Sequence, residues 1–554
     1  MNRPWRVGLP GLLLVFPLAF PLMSRGADPE PAAVDRIFAQ YDHTNTPGCA
    51  LGVFRDGRVI YSRGYGMADL NQGTPITPAT VFYIASTSKQ FTAMSIALLA
   101  EQGKISLDDP VRKWVPELPA YADKVTIRHL VHHTSGIRDY LGLWGLSGRS
   151  VADEIPEEAA LDLISRQRAV DFEPGSRFSY SNSGYFLLSV VVKRASGQSL
   201  RQYDQANMFG PLGMTDTHFH DDATQIVARR AEGYQPSPKG GFDIVKTSFA
   251  GVGDGGLLTT VLDLQRWDEN FYANRLGTRG QALIDQVTTV GHLNSGDAQT
   301  YAFGLMPSTY RGVPMITHGG SFIGFRAELM RLPVEHFSVA ILCNDYTADP
   351  SALAKQVADL YLTDKLAPVA AAGTTAGATV PVERLDRWVG RYELMPGLVA
   401  RVTRSAAGLS AAAFGTTFPL VATDDSTFTL AGSPSKVEFR MTATGPAMIP
   451  TWLGINEPST RLADMPALTS ALAASYAGRY RSEELDTWSD VQARGDTVQV
   501  RTRWGAWTNL EPMARDRFSA AGARVEFDRD KAGRVTGYRV SQARTRNVGF
   551  SRVR

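Results

Sequence analysis

The first two thirds of the chain alternate between strand-like and helix-like patterns of apolar residues. Apolar positions at helical spacing predict an amphipathic helix over 29–45. Two runs typical of strands follow, over 49–54 and 59–65, and Asp56-Gly57 between them is the signal of a tight hairpin. The chain is therefore expected to open with a helix and a pair of antiparallel strands.

Helical periodicity takes over from residue 86 to about residue 250. Strand patterns return over 301–343, and a closing helix is expected over 350–362. This layout predicts an α/β domain in which both ends of the segment build one sheet and a helical region is inserted between them. We expect an active site in the groove between the sheet and the helical region.

A change of composition marks the end of this domain. Residues 367–381 are rich in alanine, glycine and threonine, which is typical of a flexible linker. Beyond them, short runs alternate apolar and polar residues as half-buried strands do. The tripeptide Gly-Arg-Tyr begins at Gly390 and again at Gly478, 88 residues later, which predicts two similar β modules over 382–465 and 466–554.

The first 27 residues have the pattern of an export signal. Arg3 and Arg6 precede an apolar run over 7–23, and the small residues up to Ala27 suit a cleavage site. A membrane anchor is the alternative, but the run contains three prolines and is short for a bilayer. We therefore expect cleavage after the signal 1–27, no stable membrane insertion afterwards, and a periplasmic or secreted protein.

Composition narrows the class of protein. The chain has 554 residues, of which 44% are hydrophobic and 20% are charged, so it is globular and too long for a single core. A net charge of +2 gives no electrostatic footprint for nucleic acid, and we expect no such partner. Arginines are frequent from Arg534 onward, but they alternate with apolar residues, which predicts a solvated strand face.

Candidate chemistry begins with the pattern Ser86-x-x-Lys89. At this spacing in a helix, a hydroxyl and an amine lie on one face, one turn apart. A serine hydroxyl without help is too weak a nucleophile at neutral pH, and a lysine that is desolvated in a groove can accept its proton. The pattern alone also arises by chance, so its value depends on partners elsewhere in the chain.

Two further segments supply such partners. Tyr180 and Asn182 lie in a polar loop that leads into an apolar, helix-like run. His318 begins the motif His-Gly-Gly-Ser inside a strand-like segment, where Gly320 and the glycine before it let another backbone or a ligand approach closely. A phenol, an amide and an imidazole are thus available to complete a site around Ser86.

The order Ser-x-x-Lys, Tyr-x-Asn, His-Gly-Gly resembles the penicillin-recognising serine hydrolases, and within them the class C β-lactamase and D-aminopeptidase branch. Segments at 133–137, 209–214 and 255–267 also look like family segments, and the resemblance covers about residues 30–365. It implies a class C β-lactamase-like α/β domain over 28–366, with an antiparallel sheet, helices and an inserted all-α region. D-aminopeptidases of this family carry two small all-β barrels afterwards, which the two β modules resemble.

The resemblance also implies roles for individual residues. Ser86 is the nucleophile, and Lys89 and Tyr180 are both candidates for the first base, a choice that stays open. Asn182 is expected to hydrogen-bond a substrate amide together with Lys89. The oxyanion is expected to lie against the backbone N–H groups of Ser86 and Ser321.

One departure from the family pattern and one feature that the resemblance implies bear on the substrate. The third motif usually begins with lysine, and here it begins with His318. A mostly neutral imidazole is a weaker anion site, so classical β-lactams and peptides with a free carboxylate are expected to be poorer substrates. In D-aminopeptidases a loop of the last barrel reads the free amine of the substrate. By position, Asp516 within 511–518 is the candidate amine partner, with an ordinary surface turn as the alternative.

Cysteines and histidines suggest no additional chemistry. Cys49 and Cys343 lie in strands that the family fold places side by side, and they can form a disulfide in an oxidising compartment. Two buried thiols are nevertheless the expected state. The histidines at 132–133 and 218–220 lack the spacing of a metal site, so we expect no metal and no cofactor.

The expected function is a serine hydrolase that releases N-terminal D-amino acids from small peptides, amides or esters through an acyl-enzyme. A broad-specificity esterase, or a D,D-peptidase with weak β-lactamase activity, is the alternative within the same chemistry. A catalytically silent protein that binds cell-wall peptides is the alternative of another class. A conventional α/β-hydrolase is disfavoured, because no Gly-x-Ser-x-Gly motif surrounds Ser135. The sequence leaves a homodimer open.

Overall fold

The computed structural model describes residues 28–246, 251–368, 380–406, 408–413, 415–431, 435–450, 458–464 and 467–553. The predicted export signal and most of the predicted linker lie outside the described residues. Within these ranges, no helix is both long enough and apolar enough to cross a membrane.

A six-stranded antiparallel sheet is the framework of the first domain. The two predicted N-terminal strands are confirmed, and Asp56 and Gly57 close the hairpin between them with φ values of 49° and 72°. Two successive positive φ values are what a two-residue turn between twisted strands requires. In spatial order the strands are Met306–Tyr310, Val313–Phe322, Phe325–Leu332, Phe337–Cys343, Cys49–Arg55 and Arg58–Tyr65.

Helices cover both faces of this sheet. On one face, the helices Pro31–Ile37 and Pro350–Tyr361 bury Val34 and Val357 in a core that they share with the strands. On the other face, the helix Val261–Glu269 packs against the sheet and links it to the inserted region. The sheet is thereby enclosed, and its central strands are buried along almost their whole length.

The inserted region is helical, as predicted. Its helices are Lys89–Glu101, Val111–Trp114, Ile127–Val131, Tyr140–Leu146, Glu157–Ser165, Asn182–Ser196, Leu200–Asp204, Gly210–Leu212 and Gln281–Thr288. Single helical turns lie at Ala85–Ser88, Ala120–Ala122, Gln205–Phe209 and Pro333–Glu335. Short strands lie at Met67–Asp69, Thr74–Pro75, Phe82–Tyr83, His218–Phe219, Tyr234–Pro236, Phe242–Ile244 and Leu257–Thr259.

Two of these helices set the geometry of the candidate site. Lys89–Glu101 and Asn182–Ser196 pack directly against each other, and both are buried on nearly all sides over most of their length. A helix that is apolar all round belongs in the interior of a domain. Residues at the beginnings of these two helices are therefore held at fixed distances by packing.

The two cysteines form a disulfide, so the expectation of two buried thiols was wrong. Cys49 and Cys343 lie directly opposite each other in neighbouring antiparallel strands, with their Cα atoms 4.0 Å apart. Side chains at directly paired positions point to the same face of a sheet. The register that places Cys49 opposite Cys343 depends on how the two strands pair, and it could not be predicted from the sequence of either strand alone.

The two β modules have similar architectures. In the first, the helix Val382–Leu385 and the turn Asp386–Trp388 lead into an eight-stranded antiparallel sheet, which a bridge between Tyr392 and Arg461 curls back on itself. In the second, the helix Ser470–Tyr476 leads into eight strands that close into a barrel, as expected for a small all-β barrel.

The strands of both modules follow chain order. Those of the first are Gly390–Met395, Leu398–Ser405, Gly408–Ala413, Thr416–Ala422, Thr427–Leu430, Lys436–Thr442, Gly445–Pro450 and Ser459–Thr460. Those of the second are Gly478–Ser482, Thr487–Arg494, Thr497–Thr502, Thr508–Ala514, Arg517–Ala520, Ala523–Arg529, Val535–Gln542 and Thr545–Arg552.

The repeated Gly-Arg-Tyr motif starts the first strand of each module, and its tyrosine has the same role in both. The Tyr392 hydroxyl donates to the backbone oxygen of Trp388 at 2.8 Å, and the Tyr480 hydroxyl donates to that of Tyr476 at 2.6 Å. Each tyrosine thus ties the first strand to the helical turn before it. The 88-residue repeat is therefore structural as well as sequential.

The last barrel is docked on the first domain by a buried ion pair. Arg138 contacts Glu484 at 2.7 Å and Asp171 at 3.2 Å, and all three side chains are less than 10% exposed. The two β modules contact each other where Arg524 donates to Glu393 at 3.3 Å. The barrel is consequently held beside the helical region, where the candidate site lies.

Candidate active site

Ser86 occupies the single turn Ala85–Ser88, immediately before the long helix that begins at Lys89. Ala85 has a φ of 47°, a backbone conformation that residues with a Cβ rarely adopt. Strain of this kind persists only where surrounding structure holds it, and it is concentrated at functional sites. The turn presents a half-buried serine at the helix entrance.

Lys89 is completely buried and uses its amine on three oxygen atoms. Its Nζ lies 3.1 Å from Ser86 Oγ and 2.9 Å from Asn182 Oδ1, and it also donates to the backbone oxygen of Asp254. The sequence pattern Ser-x-x-Lys therefore does bring hydroxyl and amine into hydrogen-bond contact.

This geometry lets the amine act as a base without rearrangement. An ammonium group has three donors and no acceptor, so as a cation Lys89 donates to all three oxygens. As a neutral amine, it keeps two N–H groups for Asn182 and Asp254 and turns its lone pair toward the Ser86 hydroxyl. Because the Asn182 and Asp254 oxygens fix the two N–H groups, the lone pair of the amine points toward Ser86 and can accept its proton.

Tyr180 lies beside this pair, at the end of the loop before the helix Asn182–Ser196. Its ring centre is 4.9 Å from Lys89 Nζ. The Tyr180 hydroxyl is buried and has no hydrogen-bond partner within the described part of the chain. A buried hydroxyl without a partner costs free energy, so its persistence at this position suits a group that bonds to substrate.

His133 holds the tyrosine in position. The backbone N–H of Ser179 donates to the His133 carbonyl at 2.8 Å, and the N–H of Ser181 donates to His133 Nδ1 at 3.2 Å. The two rings have centres 4.2 Å apart. Burial and the nearby charges of Lys89 and other cations hold the pKa of His133 well below its ordinary value. The backbone carbonyl and the neutral imidazole of His133 therefore hold the two neighbours of Tyr180.

Asn182 begins the helix that packs against the Lys89 helix. Its Oδ1 accepts from Lys89 Nζ, and its backbone N–H donates to Asp139 Oδ2 at 2.7 Å. An amide whose oxygen is taken by a lysine keeps its NH₂ group as a donor. The side chain is 7% exposed, so this donor is positioned at the edge of the buried site.

His318 is buried, and both of its ring nitrogens are used by the protein. Nδ1 lies 2.7 Å from the Gly319 carbonyl, and Nε2 lies 2.9 Å from the Tyr301 hydroxyl. A carbonyl accepts only, so Nδ1 carries the proton and Nε2 accepts from Tyr301. Burial first, and then the charge of Lys89, lower the pKa of His318 to about 4. At neutral pH the imidazole is uncharged, as the sequence predicted.

Gly320 brings the His318 strand into contact with the nucleophile turn. A Cβ at this position would lie 2.0 Å from the Ile84 carbonyl oxygen, which only glycine avoids. The Thr87 hydroxyl donates to the His318 carbonyl at 3.2 Å and joins the same two segments. Ser321 follows on this strand and is exposed. Its backbone N–H, with that of Ser86, remains the predicted oxyanion site.

Asp516 is bonded within the last barrel. Its carboxylate accepts from Tyr476 at 2.7 Å and from Arg529 at 2.8 Å, both inside the last barrel. The barrel itself thus uses this carboxylate, and the contact with the substrate amine stays a prediction. The turn at Ala543 and Arg544 also belongs to this barrel, and the Arg544 guanidinium lies 4.7 Å from the Tyr180 ring centre.

Three residues of the site were not predicted from the sequence. Tyr301 had no motif around it. Arg544 was assigned with its neighbours to a solvated strand face; it is exposed, but it lies in a turn between two strands, beside Tyr180. Asp254 lies in a Gly-Asp-Gly-Gly run, and that density of glycine was the available signal of a close approach. Burial raises the pKa of the Asp254 carboxyl to about 6 against the opposing charge of Lys89, and Tyr140 donates to it at 3.2 Å.

The described ranges contain no group of three or more side chains able to hold a metal ion. His218 and His220 lie 3.4 Å apart through Nε2 and Nδ1, with Arg230 donating toward His220 at 3.2 Å. A cation beside two imidazoles opposes a second cation there. Nothing in the site chemistry described above depends on a metal.

The α/β fold and the serine, lysine and tyrosine of the site define a serine hydrolase of the β-lactamase type. The chain belongs to the Beta-lactamase family, whose model matches residues 34–362. A D-aminopeptidase of Cereibacter sphaeroides is 28% identical over 523 residues, which cover 92% of this chain and 96% of that protein.

Solved structures show the same fold. An octameric penicillin-binding protein homologue from Pyrococcus abyssi superposes with a TM-score of 0.54 at 22% identity and covers 86% of this chain and 98% of its own. The D-amino acid amidase from Ochrobactrum anthropi SV3 gives a TM-score of 0.51 at 22% identity, covering 60% and 98%. At these identities the likeness concerns the fold alone.

Proposed function

We propose that this protein is an exported D-aminopeptidase, which removes N-terminal D-amino acids from small peptides, amides or esters. The observation that carries the proposal is the 3.1 Å contact between Lys89 Nζ and Ser86 Oγ in a buried setting beside Tyr180. The choice of substrate is supported by the similarity to D-aminopeptidases, which extends through both β modules and beyond the catalytic domain.

The proposed reaction proceeds through an ester on Ser86. Its Oγ attacks the carbonyl carbon of the scissile amide, and its proton passes to Lys89 or to Tyr180. The tetrahedral intermediate places its oxyanion against the backbone N–H groups of Ser86 and Ser321. The C–N bond then breaks as Tyr180 delivers a proton to the departing amine. Water attacks the acyl-enzyme by the same route, which frees the D-amino acid and restores Ser86.

Export to the periplasm or the medium is part of the proposal. It is supported by the signal pattern over 1–27 and by the disulfide between Cys49 and Cys343, since disulfides persist in oxidising compartments. Mass spectrometry of the mature protein from a periplasmic extract tests it. A mature N-terminus near residue 28 is expected, and an intact N-terminus in the cytoplasmic fraction contradicts export.

Kinetics on D-alanyl and L-alanyl p-nitroanilides test the activity. We expect turnover of the D isomer to exceed that of the L isomer, and a mass increase of one D-alanyl group on Ser86 during turnover. The variant Ser86→Ala is the blank for both measurements. Equal turnover of the two isomers, or no turnover of either, contradicts the D-aminopeptidase proposal. Turnover of short-chain esters alone points instead to a broad-specificity esterase.

A further inference from the structure

A cavity of about 920 Å³ lies next to the candidate active site, where the first domain and the two β modules meet. Ser179, the residue before Tyr180, lines one side of it, and the remaining walls come from the two β modules. Six arginines and two glutamates line the cavity, so its charge is strongly positive. The arginines are Arg461, Arg515, Arg517, Arg524, Arg544 and Arg546.

The two glutamates balance only part of this charge. Glu393 pairs with Arg524 at 3.3 Å and Glu526 pairs with Arg517 at 3.5 Å. Arg461 donates to backbone carbonyls, and no carboxylate of the described residues pairs with it or with Arg544. Positive charge inside a concave site attracts and concentrates anions.

Arg544 is the arginine of this set that lies against the Tyr180 ring. Its turn is anchored to the first domain, because its carbonyl accepts from the Asp139 backbone N–H at 3.1 Å and the Thr545 hydroxyl donates to the Asp139 carbonyl at 3.2 Å. The exposed guanidinium lies 4.7 Å from the Tyr180 ring centre. The cation is therefore placed in advance of substrate binding, beside the residue that is proposed to protonate the leaving amine.

The position that related enzymes use for a cation is filled differently here. His318 stands where lysine was expected, and its two nitrogens are occupied by Gly319 and Tyr301. It has no N–H left for a substrate carboxylate. Arg544, which comes from the last barrel, offers a planar guanidinium with several N–H donors beside Tyr180. The geometry of a guanidinium group matches that of a carboxylate.

We propose that the arginine-lined cavity binds a carboxylate on the leaving part of the substrate and that Arg544 contacts it directly. The inference rests on the proposed function, in which Tyr180 protonates the leaving group. It specifies the substrate class as short peptides whose released portion carries a free carboxylate, in preference to simple amides. It also replaces the earlier expectation that free carboxylates make poor substrates.

Two matched dipeptides test this proposal. D-alanylglycine and D-alanylglycinamide differ only in the charge of the leaving part, and kcat/KM is measured for both. In Arg544→Ala we expect kcat/KM for the acid to fall by about tenfold or more, with less than about a twofold change for the amide. Arg544→Lys should retain part of the preference, and added NaCl should reduce it in the wild type.

The control variant is Arg534→Ala, which removes an arginine of the same barrel whose side chain is 80% exposed and paired with Asp530. It should change neither substrate. An equal loss for both dipeptides in Arg544→Ala overturns the proposal, because Arg544 then acts on Tyr180 and not on the substrate. Unchanged kcat/KM values for both dipeptides overturn it as well.

Failure of the proposed function gives a different result. If neither dipeptide is hydrolysed, the D-aminopeptidase proposal fails, and calorimetric titration with glycylglycine and glycylglycinamide still tests the cavity. Tighter binding of the acid by the wild type, lost in Arg544→Ala, supports the carboxylate site. Equal binding of the two compounds by the wild type contradicts it.

Discussion

The guanidinium of Arg544 lies 4.7 Å from the ring centre of Tyr180, although the two residues belong to different domains. Lys89 Nζ lies 4.9 Å from the same ring centre. A candidate catalytic phenol therefore has one cation from its own domain and another from the last barrel. Cations near an aromatic ring are attracted to it, so the contact also contributes to docking the barrel.

Replacement of Tyr180 by phenylalanine should separate catalysis from stability. The hydroxyl has no hydrogen-bond partner in the structure, so Tyr180→Phe should leave the melting temperature unchanged or slightly raised. If the hydroxyl transfers protons, kcat should fall roughly 10²–10⁴-fold. The measurements are calorimetry and turnover of D-alanyl p-nitroanilide.

Tyr480→Phe is the matched control for this substitution. It removes a buried hydroxyl that does donate, to the Tyr476 carbonyl at 2.6 Å, and should cost about 1 kcal/mol without changing kcat. Full activity in Tyr180→Phe would exclude the phenol as a proton carrier.

Lys89→Met should abolish the base without adding bulk. The amine is the buried partner of Ser86, so we expect kcat to fall roughly 10²–10⁴-fold, and labelling of Ser86 by a fluorophosphonate should slow in parallel. Lys113→Met removes a lysine whose side chain is 54% exposed and should change neither rate. Rapid labelling of Ser86 in Lys89→Met would assign the first proton transfer to Tyr180.

The buried neutral state of His318 predicts a specific pH dependence of stability. Its pKa is about 4 when folded against 6.5 for the ordinary group, so between these values the unfolded chain binds a proton that the folded chain does not. The stability that His318 contributes above pH 6.5 is therefore lost as the pH falls toward 4. The slope is about 1.4 kcal/mol per pH unit for one proton.

Comparison with His318→Gln isolates this effect from other titrating groups. Denaturant unfolding at several pH values should show that the unfolding free energy of the wild type falls relative to that of the variant as the pH drops from 6.5 toward 4. Asp254, whose pKa is raised to about 6, titrates in both proteins and cancels in the difference. If the difference in unfolding free energy does not change with pH, the folded protein binds a proton at His318 as readily as the unfolded chain does.

The disulfide should stabilise the sheet without affecting catalysis. It joins strands that are 294 residues apart in sequence, and its removal in Cys49→Ala/Cys343→Ala should cost about 2–4 kcal/mol of unfolding free energy. Both side chains lie in the core on the face away from the helical region, so kcat should not change. Titration of two free thiols in the unfolded, unreduced wild type would contradict the bond.

Local signals in the sequence predicted those parts of the fold that depend on neighbouring residues. Asp56-Gly57 forms its hairpin because turn chemistry is decided within four residues. Ser86 and Lys89 meet because three residues span one helical turn. The barrel repeat was visible because the tyrosine of each copy bonds four residues upstream.

Contacts that depend on domain docking could not be predicted in this way. Asp516 was placed by family analogy, yet Arg529 and Tyr476 take its carboxylate inside the barrel. Arg544 looked like one arginine in an alternating strand pattern, and only the docked barrel places it over Tyr180. The pairing of Cys49 with Cys343 likewise depends on a register that no single strand encodes.

The buried pair of Arg138 and Glu484 should couple barrel docking to the carboxylate preference. Glu484→Ala removes one of the two carboxylates that compensate the buried Arg138 and leaves Asp171 as the other, so it should cost about 3 kcal/mol or less in docking free energy. The Arg544 turn is anchored by the same docked surface and should become mobile. The variant should therefore lose its preference for D-alanylglycine over D-alanylglycinamide while it keeps Ser86 labelling.

The triple variant Arg138→Met/Asp171→Asn/Glu484→Leu removes all three buried charges and so distinguishes loss of charge from loss of contact. Apolar residues of similar volume often replace a buried ion pair without destabilisation. We expect this variant to recover the docking lost in Glu484→Ala, measured by limited proteolysis between the modules, and to recover the carboxylate preference with it. Recovery of docking without recovery of the preference would mean that Arg544 is positioned independently of the Arg138 and Glu484 contact. The two readouts should instead move together, because the turn that carries Arg544 bonds to Asp139, the residue next to Arg138.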